Sequence, residues 1–166
     1  MSTKMTPQLR FPEFTDEWQV KKLGDIAVFF DGKRVPIESA QRQTMSGEYP
    51  YYGASGIIDY VNDYIFDGEY VLLAEDGANI IMRSSPVAFI AKGKFWLNNH
   101  AHIMKAHGSN VFLATYLEML RYDNYNTGTT QPKLNAAVVK KIKVATPSKP
   151  EQEKIAGFLT AVDERI

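Results

Sequence analysis

The 166-residue chain contains no cysteine. That excludes a disulfide framework, a thiolate metal cluster and a cysteine nucleophile. Long apolar runs are missing too, since nothing approaches the roughly 18 residues that a membrane span requires. The opening MSTKMTPQLRF has no apolar stretch of the kind that makes a secretory signal. A soluble, cytoplasmic protein is the expectation. Proline and glycine are sparse, at 8 and 11 residues, while 45% of the chain is apolar. That balance describes an ordered protein with a real core, of about one domain and a short appendage. Catalytic signatures are also absent. There is no phosphate-binding loop, no GxGxxG, no HExxH and no GxSxG, and Gly53-Ala54-Ser55-Gly56 misses the last by its spacing. Nor is there an Asn-Pro-Pro-aromatic segment of the type amino-methyltransferases use.

Net charge is zero, with 19 basic and 19 acidic side chains, but the layout is uneven. Residues 43–82 carry seven acids and no base, whereas residues 83–149 carry ten bases against Glu118 and Asp123. A basic stretch of that size can form a face for a polyanion. Two solvated faces of opposite sign, or acidic strands paired with basic ones, would satisfy the same numbers.

Along the chain, Phe11, Pro12, Phe14 and Trp18 read as anchors that tack an N-terminal arm onto the body. Val20–Ala27 reads as a short helical turn and Ala27–Phe30 as a strand ended by Asp31-Gly32. Residues 32–47 read as a polar loop. From Tyr49 to Met104, short β-like runs alternate with turn signals: Tyr49–Tyr52, Ile57–Val61, Tyr64–Phe66, Tyr70–Ala74, Ile80–Arg83, Val87–Ala91, Phe95–Leu97 and Ala101–Lys105. The spacing predicts a twisted antiparallel assembly with small helices, an α+β fold. Asn110 is placed to cap a helix carrying Phe112, Leu113, Tyr116, Leu117 and Leu120. Residues 122–133 form a hydroxyl- and amide-rich loop, Asn135 caps a short helix, and Ile142–Ala145 is a strand. Pro150 opens a last helix whose Ile155, Leu159, Val162 and Ile166 have the spacing of a coiled-coil seam. The same spacing suits packing on its own domain.

One constellation points to an enzyme. On a strand, His100 and His102 share a face, and His107, Glu75 and Asp76 are available to complete a metal site, which would suit a metal-dependent nuclease. The plainer reading is one histidine in a polar network and one at the surface. A β-rich protein-interaction domain is a third reading.

Three stretches resemble a known family. PQLRFPEFTDEW followed by KKLGDI looks like the opening of type I restriction-modification specificity subunits. YPYYGASGIIDYVNDYIFDGEYVLLAEDGANI resembles the middle of one of their target recognition domains, and TGTTQPKLNAAVVKKIKVATPSKPEQEKIAGFLTAVDERI its end, running into the spacer helix. The resemblance implies a non-catalytic reader of double-stranded DNA, with a target recognition domain over residues 1–147 and the start of a truncated spacer helix over 148–166. It implies methyltransferase subunits as partners and, through them, a restriction subunit. It implies no cofactor and no metal of its own, S-adenosylmethionine belonging to the methyltransferase. The helix residues Ile155, Leu159, Val162 and Ile166 become candidates for a partner contact or for self-association. Such a reader places hydrogen-bonding side chains at base edges and cations on phosphates. The candidates are Lys33 and Arg34, with the Arg34 fork suited to guanine; Ser55 and Asn79 on tight turns; Asn98, Asn99 and His100; and the loop of Thr127, Gly128, Thr129, Thr130, Gln131 and Lys133, suited to phosphates. Solvated turns and a surface Lys-Arg pair are the alternatives at each place.

Overall fold

The computed structural model describes residues 6–166. Strand β1 (Gln19–Lys22) runs into a single helical turn, α1 (Leu23–Ile26), and then into β2 (Ala27–Phe29). A 3-10 turn at Asp31–Lys33 and a short helix, α2 (Ser39–Thr44), follow. The central block is β3 (Ser46–Gly53), β4 (Gly56–Val61), β5 (Phe66–Ala74), α3 (Asn79–Met82), β6 (Ala88–Leu97) and β7 (Ala101–Ala106). Helix α4 (Asn110–Met119), a 3-10 turn at Asp123–Tyr125, α5 (Ala136–Val139), β8 (Lys143–Thr146) and α6 (Lys149–Asp163) complete the chain. Among the described residues, no helix is long and apolar enough to cross a membrane.

Six strands form one sheet in the order β2-β7-β5-β6-β3-β4, and β1 pairs with β8 in a separate two-stranded sheet. The sheet is not wholly antiparallel, because β3 joins β6 in parallel at Tyr51↔Trp96 and Tyr52↔Leu97. Strand β5 sits between β6 and β7 and is apolar on both faces. Val71 and Leu73 point into a core shared with Leu113, Leu117, Leu134 and Val139. Tyr70 and Leu72 point to the other side, among Phe66, Phe95, Leu97 and Ile103. A strand covered on both faces explains the unbroken run Tyr70–Ala74 in the sequence.

The ribbon of β5 and β6 is sharply coiled, as chain geometry requires. Phe95 pairs with Phe66 at one end of β5, and Ala101 pairs with Ala74 at the other, on the opposite side. In a flat sheet those two positions would lie nearly 30 Å apart, from about 3.4 Å per residue and two strand spacings. The six residue steps between them reach only about 20 Å. Gly68 and Gly93 face each other in the register, with φ of 137° and 77°, and supply the backbone freedom for the bend. They also explain why Phe66 with Tyr70–Ala74, and Ala88–Ala91 with Phe95–Leu97, read as broken runs yet belong to single long strands, while Tyr64, Ile65 and Val87 fall outside them.

Other departures from the sequence reading are local. Ile80–Arg83 is the helical turn α3 and no strand: only Ile80 is buried, Met82 is exposed, and Arg83 closes the turn in the left-handed region at φ 57°. Ser109 caps α4 by accepting the Phe112 N–H, while Asn110 lies one residue inside and accepts from Ala106 N–H. Val20–Lys22 is strand, because β8 supplies its ladder. The loop 32–47 contains α2, laid over Tyr51 through Ile37.

The N-terminal arm is anchored as its aromatics predict. Arg10 donates to both oxygens of Glu151 at 2.6 and 2.7 Å, and the Trp18 indole N–H donates to the same carboxylate at 3.1 Å. Phe11 meets Phe158 edge to face. The hydrogen bond from Arg10 holds the buried Glu151 carboxyl below its ordinary range, against the opposing pull of burial. Helix α6 is thereby fixed at its first two turns. Along the helix Ile155 and Leu159 are half-buried, whereas Val162, and Ile166 beyond its end, are exposed.

Candidate nucleic-acid interface

Five connecting segments meet at one end of the large sheet. Asn98 N–H donates to Tyr52 O, which ties the β6–β7 turn to the end of β3. Glu75 N–H donates to His100 O, and Leu134 N–H donates to Glu75 O. Gly77 N–H reaches Pro132 O at 3.0 Å, and Asp76 forms a β-bridge with Lys133. Arg34 reaches across to the carbonyls of Asn99 and Ala101. Candidates scattered over a hundred residues of sequence therefore share one rim: Arg34, Ser55, Asn79, Asn98–His100 and Thr127–Lys133.

Their environments differ. The segment Thr127–Lys133 is a loop with a pinned neck. Thr127 donates both its N–H and its hydroxyl to Lys133 O, at 2.8 and 3.1 Å. Asn126 Oδ1 accepts the N–H groups of Gly128 and Lys133, each at 2.9 Å. Gly128 is obligatory there, because a Cβ on it would stand 1.8 Å from Gln131 O. Above this neck Thr129, Thr130 and Gln131 are exposed, and their side chains bond to no other described residue. Lys133 is half-exposed, with Glu75 4.0 Å away. Ser55 is exposed at the β3–β4 tip, Asn99 is exposed, and Lys33 is exposed over the Phe30 ring.

Two candidates are turned inward, and a third, Asn98, is nearly buried with only its amide nitrogen left uncommitted. Asn79 accepts from Ser84 and Ser85 and donates to the carbonyls of Ser85 and Pro86, so it organises its own turn. Asn98 is 6% exposed and uses its oxygen on His100 N–H. Arg34 does not present its fork outward. It donates to Asp31 O at 2.9 Å, Ala101 O at 2.8 Å and Glu75 Oε2 at 2.5 Å. Its guanidinium stitches rim segments together, so the expectation of a guanine contact from Arg34 gives way to a structural role.

Beneath the rim lies a buried polar network. His102 is fully buried, with Nδ1 2.7 Å from Asp31 Oδ2 and Nε2 2.7 Å from Leu134 O. Each ring nitrogen thus has a hydrogen-bond partner. Burial pushes the Asp31 carboxyl up, but the hydrogen bond and charge of His102, the Ile103 N–H and Arg34 outweigh it and hold it below its ordinary value. Asp31, Glu75 and His102 lie close enough to hold a metal ion. The Arg34 guanidinium already occupies the cation position between the two carboxylates. His100 lies in the turn before β7 and bonds Asp76. The two histidines of the proposed nuclease site therefore serve different carboxylates.

Comparison with known proteins settles the family. The profile of the type I restriction modification DNA specificity domain matches residues 15–166. The chain belongs to the type I specificity domain family. It is 37% identical over 148 residues to a putative type I restriction enzyme specificity subunit of Haemophilus influenzae, a match spanning 88% of this chain and 37% of that protein. It is 29% identical over 160 residues to the type I restriction enzyme EcoprrI specificity subunit of Escherichia coli, spanning 93% of this chain and 38% of that one. The chain thus spans under two-fifths of the length of these relatives. The fold matches the crystal structure of the type I restriction-modification system S subunit from M. genitalium, with a TM-score of 0.76 at 17% identity over 97% of this chain and 42% of that one. It also matches the HsdS subunit from Thermoanaerobacter tengcongensis, at 0.59, 14%, 97% and 40% respectively. Nothing in the fold or in these comparisons favours a nuclease or a plain protein-interaction domain.

The basic stretch of this specificity domain is divided. Arg83 is held by Glu118, Lys92 by Glu69, and Lys94 and Lys105 lie over Tyr64 and Tyr70. The remainder continues from the rim. Lys133 leads through the single turn of α5 to Lys140 and Lys141, and then to Lys143 on β8. Strand pairing adds a lysine that sequence order hides: Lys22 stands directly opposite Lys143, whereas Lys21 pairs with the buried Val144 and alternation along the strand turns it to the other face. Like charges face to face across strands are unfavourable. Lys22, Lys140, Lys141 and Lys143 are exposed, and none forms an ion pair among the described residues, although Lys140 lies over the Phe29 ring.

Proposed function

We propose that this domain binds double-stranded DNA without catalysing a reaction, reading one half of a split target as part of a type I specificity subunit. The observation that carries the reading is the union of a rigid rim, bearing unpaired hydroxyl and amide tips, with a band of unpaired lysines on the neighbouring small sheet. The pinned loop and the lysines supply phosphate contacts, which position the duplex. Side chains at the remaining turns then meet base edges. A reader needs no titrating nucleophile. Methyltransferase subunits, which carry S-adenosylmethionine, and through them the restriction subunit, are the partners this role calls for. The exposed outer turns of α6, with Phe158 and Val162 and with Ile166 just beyond the helix, suit a helix from such a partner or from a second copy of this chain.

Binding to duplex DNA, measured without divalent metal across a range of salt concentrations, tests the reading. About five lysine–phosphate contacts give a log–log slope of roughly −4 to −5. Replacing Lys22 and Lys143 together should reduce the steepness by about 2. Affinity that ignores salt, or that appears only with a divalent metal, would contradict it.

A further inference from the structure

The rim holds a shallow concavity of about 420 Å³ between the β3–β4 tip, the Asp76–Asn79 turn and the Asn98–His100 turn. Its hydrogen-bonding capacity is narrower than its residue types imply. Asn79 is committed at both ends of its amide. Both oxygens of Asp76 face the His100 ring, at 2.9 and 3.0 Å. The Asn98 oxygen is taken by His100 N–H, which leaves its amide nitrogen with no partner among the described residues. That nitrogen lies 3.6 Å from where a Cβ on Gly53 would stand, and the same point is 3.2–3.3 Å from the Ile58 methyls. Ile58 is 56% exposed, an apolar side chain standing at the edge of a polar dish.

The Asn98 oxygen keeps a second lone pair, so what sets adenine aside is not the amide but the want of a methyl group for Ile58 to meet. Cytosine offers a donor, for which the Asn98 nitrogen has no use. Guanine offers acceptors but nothing apolar. Thymine alone presents an acceptor, O4, beside a methyl group in the major groove. We infer that this dish is a thymine-reading subsite, with Asn98 Nδ2 donating to O4 and Ile58 packing on the C5 methyl.

The inference rests on the DNA-reading function proposed above and assigns one of its specificity determinants. Ile58 is the new residue; its sequence context marks it only as one position of a strand. The test begins with a duplex selected by this chain from a random library. Each thymidine is replaced in turn by deoxyuridine, which removes the methyl and nothing else. At one position the wild-type chain should lose about fourfold in affinity, the equivalent of one buried methyl. Ile58→Ala, which leaves an exposed site and keeps the fold, should bind thymidine and deoxyuridine at that position equally. Asn98→Asp should weaken binding to both by a similar factor. Wild-type binding that is unmoved by every deoxyuridine, a selected site without thymine, or an Ile58→Ala chain that keeps the fourfold preference would each overturn the subsite while leaving DNA reading intact. Failure to bind any duplex would remove the underlying reading, and the subsite with it.

Discussion

Replacing Gly128 by alanine separates the recognition loop from the scaffold that carries it. A Cβ at this position would stand 1.8 Å from Gln131 O, 2.9 Å from the Gln131 carbonyl carbon and 3.0 Å from Lys133 N. These are backbone atoms, and relief requires the two sides of the loop to part by more than 1 Å. Three hydrogen bonds close the neck, two onto Lys133 O from Thr127 and one from Lys133 N–H onto Asn126 Oδ1, and a fourth from Gly128 N–H braces Asn126 on its own side. Parting the sides breaks about two of them, at roughly 0.5–1.5 kcal/mol each, so the closed loop loses about 1–3 kcal/mol. That corresponds to a fall of about 5- to 150-fold in affinity for a selected duplex, read by fluorescence anisotropy. The loop covers no core, so Tm should fall by no more than a few degrees. Unchanged affinity in Gly128→Ala, with the chain folded, would show that the loop takes no part in binding. A collapse of Tm would show that the loop supports the core, which its exposure argues against.

Arg34→Ala should destabilise the domain by about 2–4 kcal/mol, since it strands Glu75 and two rim carbonyls at a partly buried site; by thermal unfolding that is a drop of roughly 4–16 °C, and sequence preference in any bound fraction should not relax at one position. Asp31 and Glu151 both have folded-state pKa values below their unfolded values. Their contribution is therefore complete above the unfolded carboxylate range, near pH 4, and is lost as pH falls further. Glu151→Gln should lower Tm at pH 7 and flatten the decline of Tm below pH 4, as followed by circular dichroism. Gly157→Ala, in α6 with open space around the new Cβ, should raise stability by up to about 1 kcal/mol in denaturant titration and leave DNA affinity unchanged.

Much of the fold was legible because strand ends coincide with turn chemistry: Asp31-Gly32, Gly53–Gly56 and Asn98-Asn99 each close a strand that forms where expected. The helices at 110–119 and 149–163 follow from apolar spacing and from proline. What escaped has a common cause, namely backbone partners distant in sequence. The parallel junction of β3 with β6 and the pairing of β1 with β8 depend on which ladder is free, a property no local pattern carries. Glycines at 68 and 93 read as breaks, although in the coiled ribbon they permit continuity. The candidate site divides in the same way. Residue type located the exposed loop of threonines and glutamine correctly as a projecting loop. It did not distinguish Arg34 and Asn79, whose polar atoms are satisfied internally, from side chains left free. Asn126 and His102 hold the rim together, yet in sequence they are only a loop amide and a strand histidine. Lys22 joins the basic band through a register of strands some 120 residues apart.

The most direct test is selection from a random duplex library by mobility shift, with the cognate methyltransferase present. The account predicts enrichment of one short, defined half-site, with recovery that falls steeply as salt rises and that is lost in Gly128→Ala. Recovery of unrelated sequences in equal amounts, or a half-site retained unchanged when the loop neck is broken, would contradict it.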